Sequence, residues 1–139
     1  MKRKTVVCPL FSLLFSPSRC IINREVFVLL KEQFLEYLQA YSQKDINKIS
    51  DMLAEGITLR DWKISVSGKA AAINETVKNF SSAESIKIET LHTYESDHSV
   101  AGELKITVNG SEILYVVDVI SFDASRKIKS IRAYLGRPD

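Results

Sequence analysis

The sequence predicts an α+β domain, with helices gathered in its first half and an antiparallel sheet in its second. Three observations carry that expectation. Apolar residues recur at helical spacing from Phe27 to Tyr41, and again after Asp45 and after Gly68. From Ser85 onward the pattern changes to the alternation of half-buried strands. Within that half lies Asn109-Gly110, a dipeptide suited to a tight hairpin turn. Helices grouped on one side of an antiparallel sheet let both bury their apolar faces.

The 139 residues suffice for one domain with a single core, and 45% hydrophobic with 26% charged residues is ordinary globular composition. The formal charge of +2 hides an uneven distribution. Lys2, Arg3, Lys4, Arg19 and Arg24 precede the first acidic residue, whereas residues 25–139 carry 14 basic and 17 acidic side chains. That body is mildly acidic, so no nucleic acid is expected as a partner. We read residues 1–24 as an N-terminal extension and 25–139 as the domain. "MKRK" followed by "TVVCPLFSLLF" has the form of a charged segment and a short apolar one. Pro9 interrupts the run, which is too short to span a bilayer. The expected compartment is the cytoplasm, or outside it if residues 1–18 act as a signal peptide. Cys8 and Cys20 both lie in the extension, leaving the domain without a disulfide framework or a cysteine metal site.

Phe27, Leu30, Phe34, Tyr37, Leu38 and Tyr41 form the buried stripe of a first helix, which "SQKD" breaks. Asp45 then caps a second helix with Ile46, Ile49, Met52 and Leu53 on its inner side and Gly56 as its stop. "ITLRDW" reads as a short strand with Ile57, Leu59 and Asp61 on one face. "KAAAINETVKNF" is a third helix, with Ala72, Ile73, Val77 and Phe80 at core spacing. "SIKIETLHTY" and "SVAGELKITV" are strands, "EILYVVDVISFD" is another, "DASRK" turns, and "IKSIRAYLG" closes the sheet.

The strand around Asp118 is apolar on both faces. Leu114, Val116, Asp118, Ile120 and Phe122 point one way, and Ile113, Tyr115, Val117 and Val119 the other. An antiparallel sheet covered on one side alternates more cleanly than this. The sheet therefore curls around a pocket, meets a second subunit, or does both. A homodimer through Tyr115, Val117 and Val119 is the expected assembly. A two-residue Asn109-Gly110 loop would set Ala101 opposite Asp118 and put Glu103 and Lys105 on its face, unless a bulge shifts the register.

An ionised carboxylate among apolar side chains is costly, so Asp118 is paired, protonated or kept for chemistry. Asp61, beside Ile57 and Leu59, and Tyr37, on a buried stripe, pose the same question. Each has a structural alternative. Tyr37 is then core, Asp61 merely ends its strand or pairs with Arg60 or Lys63, and Asp118 is the ion-pair partner of Arg132. Together, three polar tips on one apolar side form the pattern of a small-molecule site.

Two segments, "YLQAYSQKDINKISDMLAEGITLRD" and "DVISFDASRKIKSIRAYLG", resemble the bacterial ketosteroid isomerases of the nuclear transport factor 2-like superfamily, over about residues 34 to 137. The resemblance implies a cone-shaped, curved antiparallel sheet wrapped around about three helices. It places Asp61 at the proton-shuttling base, with Tyr37 and a protonated Asp118 as the oxyanion-hole donors. Phe34, Trp62, Val116, Ile120 and Phe122 would line the substrate pocket. In that family a base moves a proton next to a ketone while a phenol and a neutral carboxylic acid hold the enolate oxygen, chemistry carried over from the resemblance. The implied activity is cofactor-free, on a small apolar molecule. Trp62 stands where the isomerases usually have proline, and "IRAY" is widespread among SnoaL-like relatives, so a polyketide cyclase or lyase, or a non-catalytic binding domain, are the alternatives. His92 and His98 lack a carboxylate cluster and no metal is expected. By strand parity His92 lines the pocket or, more simply, packs as a core histidine.

Overall fold

The computed structural model describes residues 30–138. The extension expected over residues 1–24, its two cysteines and Phe27 lie outside them. Three helices and six strands follow in order. Helix α1 runs over residues 30–42. Then come α2 (Ile46–Met52), β1 (Leu53–Arg60), β2 (Ser65–Ser67), α3 (Lys69–Ser82), β3 (Ile86–Glu95), β4 (Ser99–Val108), β5 (Glu112–Phe122) and β6 (Ile128–Leu135). The strands form one sheet in the order β2-β1-β6-β5-β4-β3. The sheet is curved and does not close on itself. Every pairing is antiparallel except β1 with β6, which is parallel.

Helix α1 ends without a glycine. Lys44 adopts φ 57°, Asp45 N donates to Ala40 O at 2.8 Å, and Lys44 N to Tyr41 O at 3.0 Å. Those bonds satisfy the last carbonyls of α1. The Lys44 ammonium crosses to the end of α3, donating to the carbonyls of Phe80 (2.9 Å), Glu84 (3.3 Å) and Ala83. Asp45 caps α2 as expected, accepting from Lys48 N at 3.1 Å. Gly56 does not stop that helix. Leu53 already turns to an extended backbone and pairs with Ile128 in the sheet, so the strand begins four residues before "ITLR". Burial of Leu53 among core residues draws it out of the helix.

On α3 the buried positions are Ala72 and Thr76, while Val77 is largely exposed. Thr76 is tolerated inside because its hydroxyl donates to Ala72 O at 2.9 Å. Strand β2 had no counterpart in the sequence reading, since three residues are too few to show an alternation.

The Asn109-Gly110 turn forms, with φ 53° and 76° and Ser111 N donating to Val108 O at 3.2 Å. Asn109 Oδ1 also accepts from Glu84 N and Ser85 N at 2.7 and 3.2 Å, tying the turn to the entry of β3. The ladder beyond it pairs Val108 with Glu112, one residue later than a plain two-residue loop. Gly102, not Ala101, therefore faces Asp118. Glu103 and Lys105 pair with Val117 and Tyr115 on the opposite face, so the bulge removes the charges from the site. A second irregularity between Thr90 and His92 sets His92 opposite Glu103. His92 is exposed and stacks near Tyr94 at 4.9 Å, neither in the core nor in the pocket.

The core lies between α1, α2 and one end of the sheet: Leu30, Phe34, Leu38, Ile49, Ile57, Leu104, Ile120, Phe122 and Ile128 are its buried members. Phe34 rests on Gly102, where an added Cβ would stand 2.5 Å from the ring. The same concave face continues beyond Phe34 without being filled.

Candidate functional site

That unfilled part is a cavity of about 530 Å³ between α1, α3 and the sheet. Its walls are mainly apolar, with Leu59, Ile88, Ile106, Leu114, Val116 and Ile131 among them. Lys63, Lys78 and Glu112 border it and are exposed, marking the rim. Tyr37, Asp61 and Asp118 all line it. Two of the five pocket residues expected from the sequence, Trp62 and Val116, line it as well. Phe34, Ile120 and Phe122 do not. All three are fully buried in the core, because the packed end of the concavity extends as far as the Phe34–Gly102 contact.

Asp118 sits at the centre of β5, between Gly102 of β4 and Ala133 of β6. Its small neighbours leave the carboxyl facing open space. Arg132 pairs with Val119 on the opposite face and donates to Ser130 Oγ at 2.9 Å. The ion pair that would have made Asp118 structural is therefore absent, and among the described residues its carboxyl has no hydrogen bond or salt bridge. Burial first, and the Asp61 charge second, raise its pKa to about 7. The side chain is half-buried by accessible surface because it borders the cavity, yet protein surrounds it closely enough to strip away most hydration.

Tyr37, one turn beyond Phe34 on α1, is buried except where it meets the cavity. Its hydroxyl has no partner among the described residues. Burial, then the neighbouring Tyr41, then Asp118 raise its pKa well above the ordinary phenol value, so it remains a neutral donor. Asp61 lies just past the end of β1, not on the strand. Its Oδ1 accepts from Lys63 N at 2.6 Å and Ile64 N at 2.8 Å, and its own N–H donates to Ile64 O at 2.9 Å. This turn fixes the carboxylate at the cavity wall and leaves Oδ2 unengaged. Of the sequence alternatives the strand end holds, since Asp61 directly follows β1. Among the described residues it forms no ion pair with the Lys63 ammonium or with Arg60, which lies over the Tyr134 ring, 5.9 Å from its centre.

Two further polar residues were not singled out as site residues. Tyr41 and Asn79 line the cavity, and the Asn79 amide donates to the Tyr41 hydroxyl at 2.9 Å. Tyr41 belongs to the buried stripe that the sequence predicts for α1, and in the structure it is half-buried. The four-residue spacing from Tyr37 was the available signal, since it puts both phenols on one helix face. Asn79, on another helix, gave none.

Among the described residues no three His, Cys, Asp or Glu side chains gather as metal ligands. Nor is any helix among them long and apolar enough to cross a membrane.

The sequence matches no protein-family model and no curated protein. Solved structures do match. The epoxide hydrolase/cyclase-like enzyme SalBIII, of pyran ring formation in the polyether salinomycin, is 27% identical, with TM-score 0.67 over 77% of this chain and 90% of its own. A provisionally named ketosteroid isomerase from Kribbella flavida shares 13% identity and TM-score 0.69, over 83% and 81% of the two chains. An NTF2-like protein of unknown function from Cytophaga hutchinsonii shares 17% identity and TM-score 0.66, over 77% and 89%.

Proposed function

We propose that this chain, whose fold is that of the nuclear transport factor 2-like superfamily, is a cofactor-independent acid–base enzyme that moves a proton next to a ketone in a small apolar substrate. One observation carries the reading: Asp118, its pKa raised to about 7, and the Tyr37 phenol share an apolar cavity, neither with a hydrogen-bond partner among the described residues. Neutral Asp118 and Tyr37 each present a proton to one ligand oxygen. As the α-proton leaves, charge grows on that oxygen, and two donors in a poorly hydrated site hold it more strongly than water would. Asp61 takes the proton through Oδ2. Burial is the main cause of the raised Asp118 pKa, and the Asp61 charge adds to it. The substrate is a compact ketone or polycycle.

The assay is conversion of a β,γ-unsaturated ketosteroid to its conjugated isomer, followed by absorbance. Asp61→Asn is expected to lower kcat by roughly 100-fold or more while leaving ligand affinity nearly unchanged. Equal rates in the two proteins would remove Asp61 from the role of base.

The anchoring of Asp61 favours a second reading. An isomerase base must reach two carbons, the donor and the recipient of the proton. A carboxylate tied by two backbone N–H groups is better suited to a single position. Proton removal at one carbon serves ring closure or elimination, and SalBIII, 27% identical, is described as a cyclase-like enzyme. Ring closure of a polyketide-type substrate without steroid turnover would select this reading over the first.

A second copy of the chain covers the outer sheet face. Tyr115, Val117 and Val119 lie there, and Tyr134, paired with Val117, adds to them. Glu103, Lys105 and Arg132 share the face with them, so the contact is a mixed apolar and charged one.

A further inference from the structure

Tyr41 is a polar group on the cavity wall that the chemistry above leaves unused. Its ring lies 6.0 Å from that of Tyr37, one helical turn earlier on α1. Phe80 of α3 meets it edge-on, with centres 4.9 Å apart at 74°. The Asn79 amide donates to its hydroxyl at 2.9 Å, so the phenol is held at both ring and tip. A phenol has one proton and two lone pairs. Asn79 occupies one lone pair, and among the described residues no acceptor takes the proton. The side chain borders a cavity whose walls are chiefly apolar. That proton is open to water while the cavity is empty, and a ligand oxygen can take the place of that water. An ordinary phenol is already neutral near neutral pH, and burial raises the Tyr41 pKa further, so the group keeps its proton to donate.

We propose that Tyr41, held by Asn79, donates to a second substrate oxygen and so makes the site selective for polyoxygenated ketones. The inference rests on Tyr37 and Asp118 receiving the first oxygen. Four residues of α-helix rise ~6 Å, so two phenols on one face serve oxygens separated by roughly that distance. A chain oxygenated on alternate carbons, or a polycycle with several hydroxyl or keto groups, meets the spacing. A hydrocarbon with one ketone does not, and leaves the Tyr41 proton unused.

Equilibrium titration of the full chain tests this with 2-naphthol, which carries one oxygen, and the isomeric naphthalenediols, which carry two. The titrations are run at about pH 6, where Asp118, with pKa about 7, is mostly protonated. The best diol is expected to bind roughly five- to tenfold tighter than 2-naphthol, the worth of one added hydrogen bond. Tyr41→Phe, which keeps the ring packing, should abolish that advantage and leave 2-naphthol affinity within about twofold. Asn79→Ala, at an exposed position, should reduce the advantage by at least about half and supplies the reading if the first variant does not fold.

A wild-type protein with no preference for any diol, or a preference that survives Tyr41→Phe, would overturn the subsite. A purely structural Tyr41–Asn79 bond would lower stability and leave the diol-to-naphthol ratio unchanged, which counts against it equally. The underlying reading fails differently: 2-naphthol would then not bind, or would bind regardless of Tyr37→Phe and Asp118→Asn, and the subsite would fall with it.

Discussion

A carboxyl whose pKa is raised to about 7 by burial and by the Asp61 charge holds its proton more tightly in the folded state than in the unfolded chain. From the ordinary aspartate range up to pH 7 the folded protein thus binds more protons, and stability falls as pH rises through that window. The slope contributed by one such group is at most about 1.4 kcal/mol per pH unit. Urea unfolding at several pH values between 4 and 8 should show this decline in wild type and its loss in Asp118→Asn. Activity follows the same proton: the rate should drop above pH 7, and the amide variant should lack that descending limb. A wild type equally stable at pH 5 and pH 8 would contradict the burial of a titrating Asp118. At Gly102 the test is steric. Alanine there would place a Cβ 2.5 Å from the Phe34 ring, which is packed on all sides. Gly102→Ala should cost about 1–3 kcal/mol, the range for an overpacked core, read from the denaturation midpoint.

Among the elements, the link between α1 and α3 depends on one lysine. Lys44 accepts a left-handed backbone to end α1, and its ammonium then meets three carbonyls at the end of α3. Cations are favoured at a helix C-terminus, and these carbonyls lack helical partners. Lys44→Met should lose about 1–3 kcal/mol by chemical denaturation. Lys44→Gly should also lose stability, although it relieves the positive φ; a gain would mean that the ammonium contributes little. This device was not legible in the sequence, where "SQKD" announced a helix end but not the span from Lys44 to Ala83. Periodicity located all three helices and the long strands, since each buries a continuous face. It failed where one residue changes the phase. The residue after Gly110 shifts the β4–β5 register, the irregularity near Leu91 turns His92 outward, and Thr76 replaces Val77 inside because its hydroxyl is bonded within the helix. Of the cavity lining, Asp118 and Tyr37 were readable as polar groups on apolar faces; Asp61, expected on a strand face, borders the cavity from the turn after β1, and Trp62 and Val116 border it too. Phe34, Ile120 and Phe122 have the same apolar character but lie past the floor, a depth that sequence does not encode.

At the scale of the molecule, the concave side of the sheet is divided: one end is packed by α1 and α2, and the other stays open under α3. The outer side carries Val117, Tyr94 and Tyr134, all substantially exposed. If a second copy covers this face, Val117→Asp should yield a monomer in light scattering at concentrations where wild type is a dimer. Val117 is exposed in the single chain, so the fold should survive the change, and a monomeric wild type would remove the assembly. Trp62 gives the cavity one more property. It is the chain's sole tryptophan and stands at the cavity wall, 42% exposed. A guest that displaces water from the indole should shift its emission toward the blue. The protein thus carries an intrinsic fluorophore that can report occupancy, and unlabelled compounds can be screened for entry before any reaction is known.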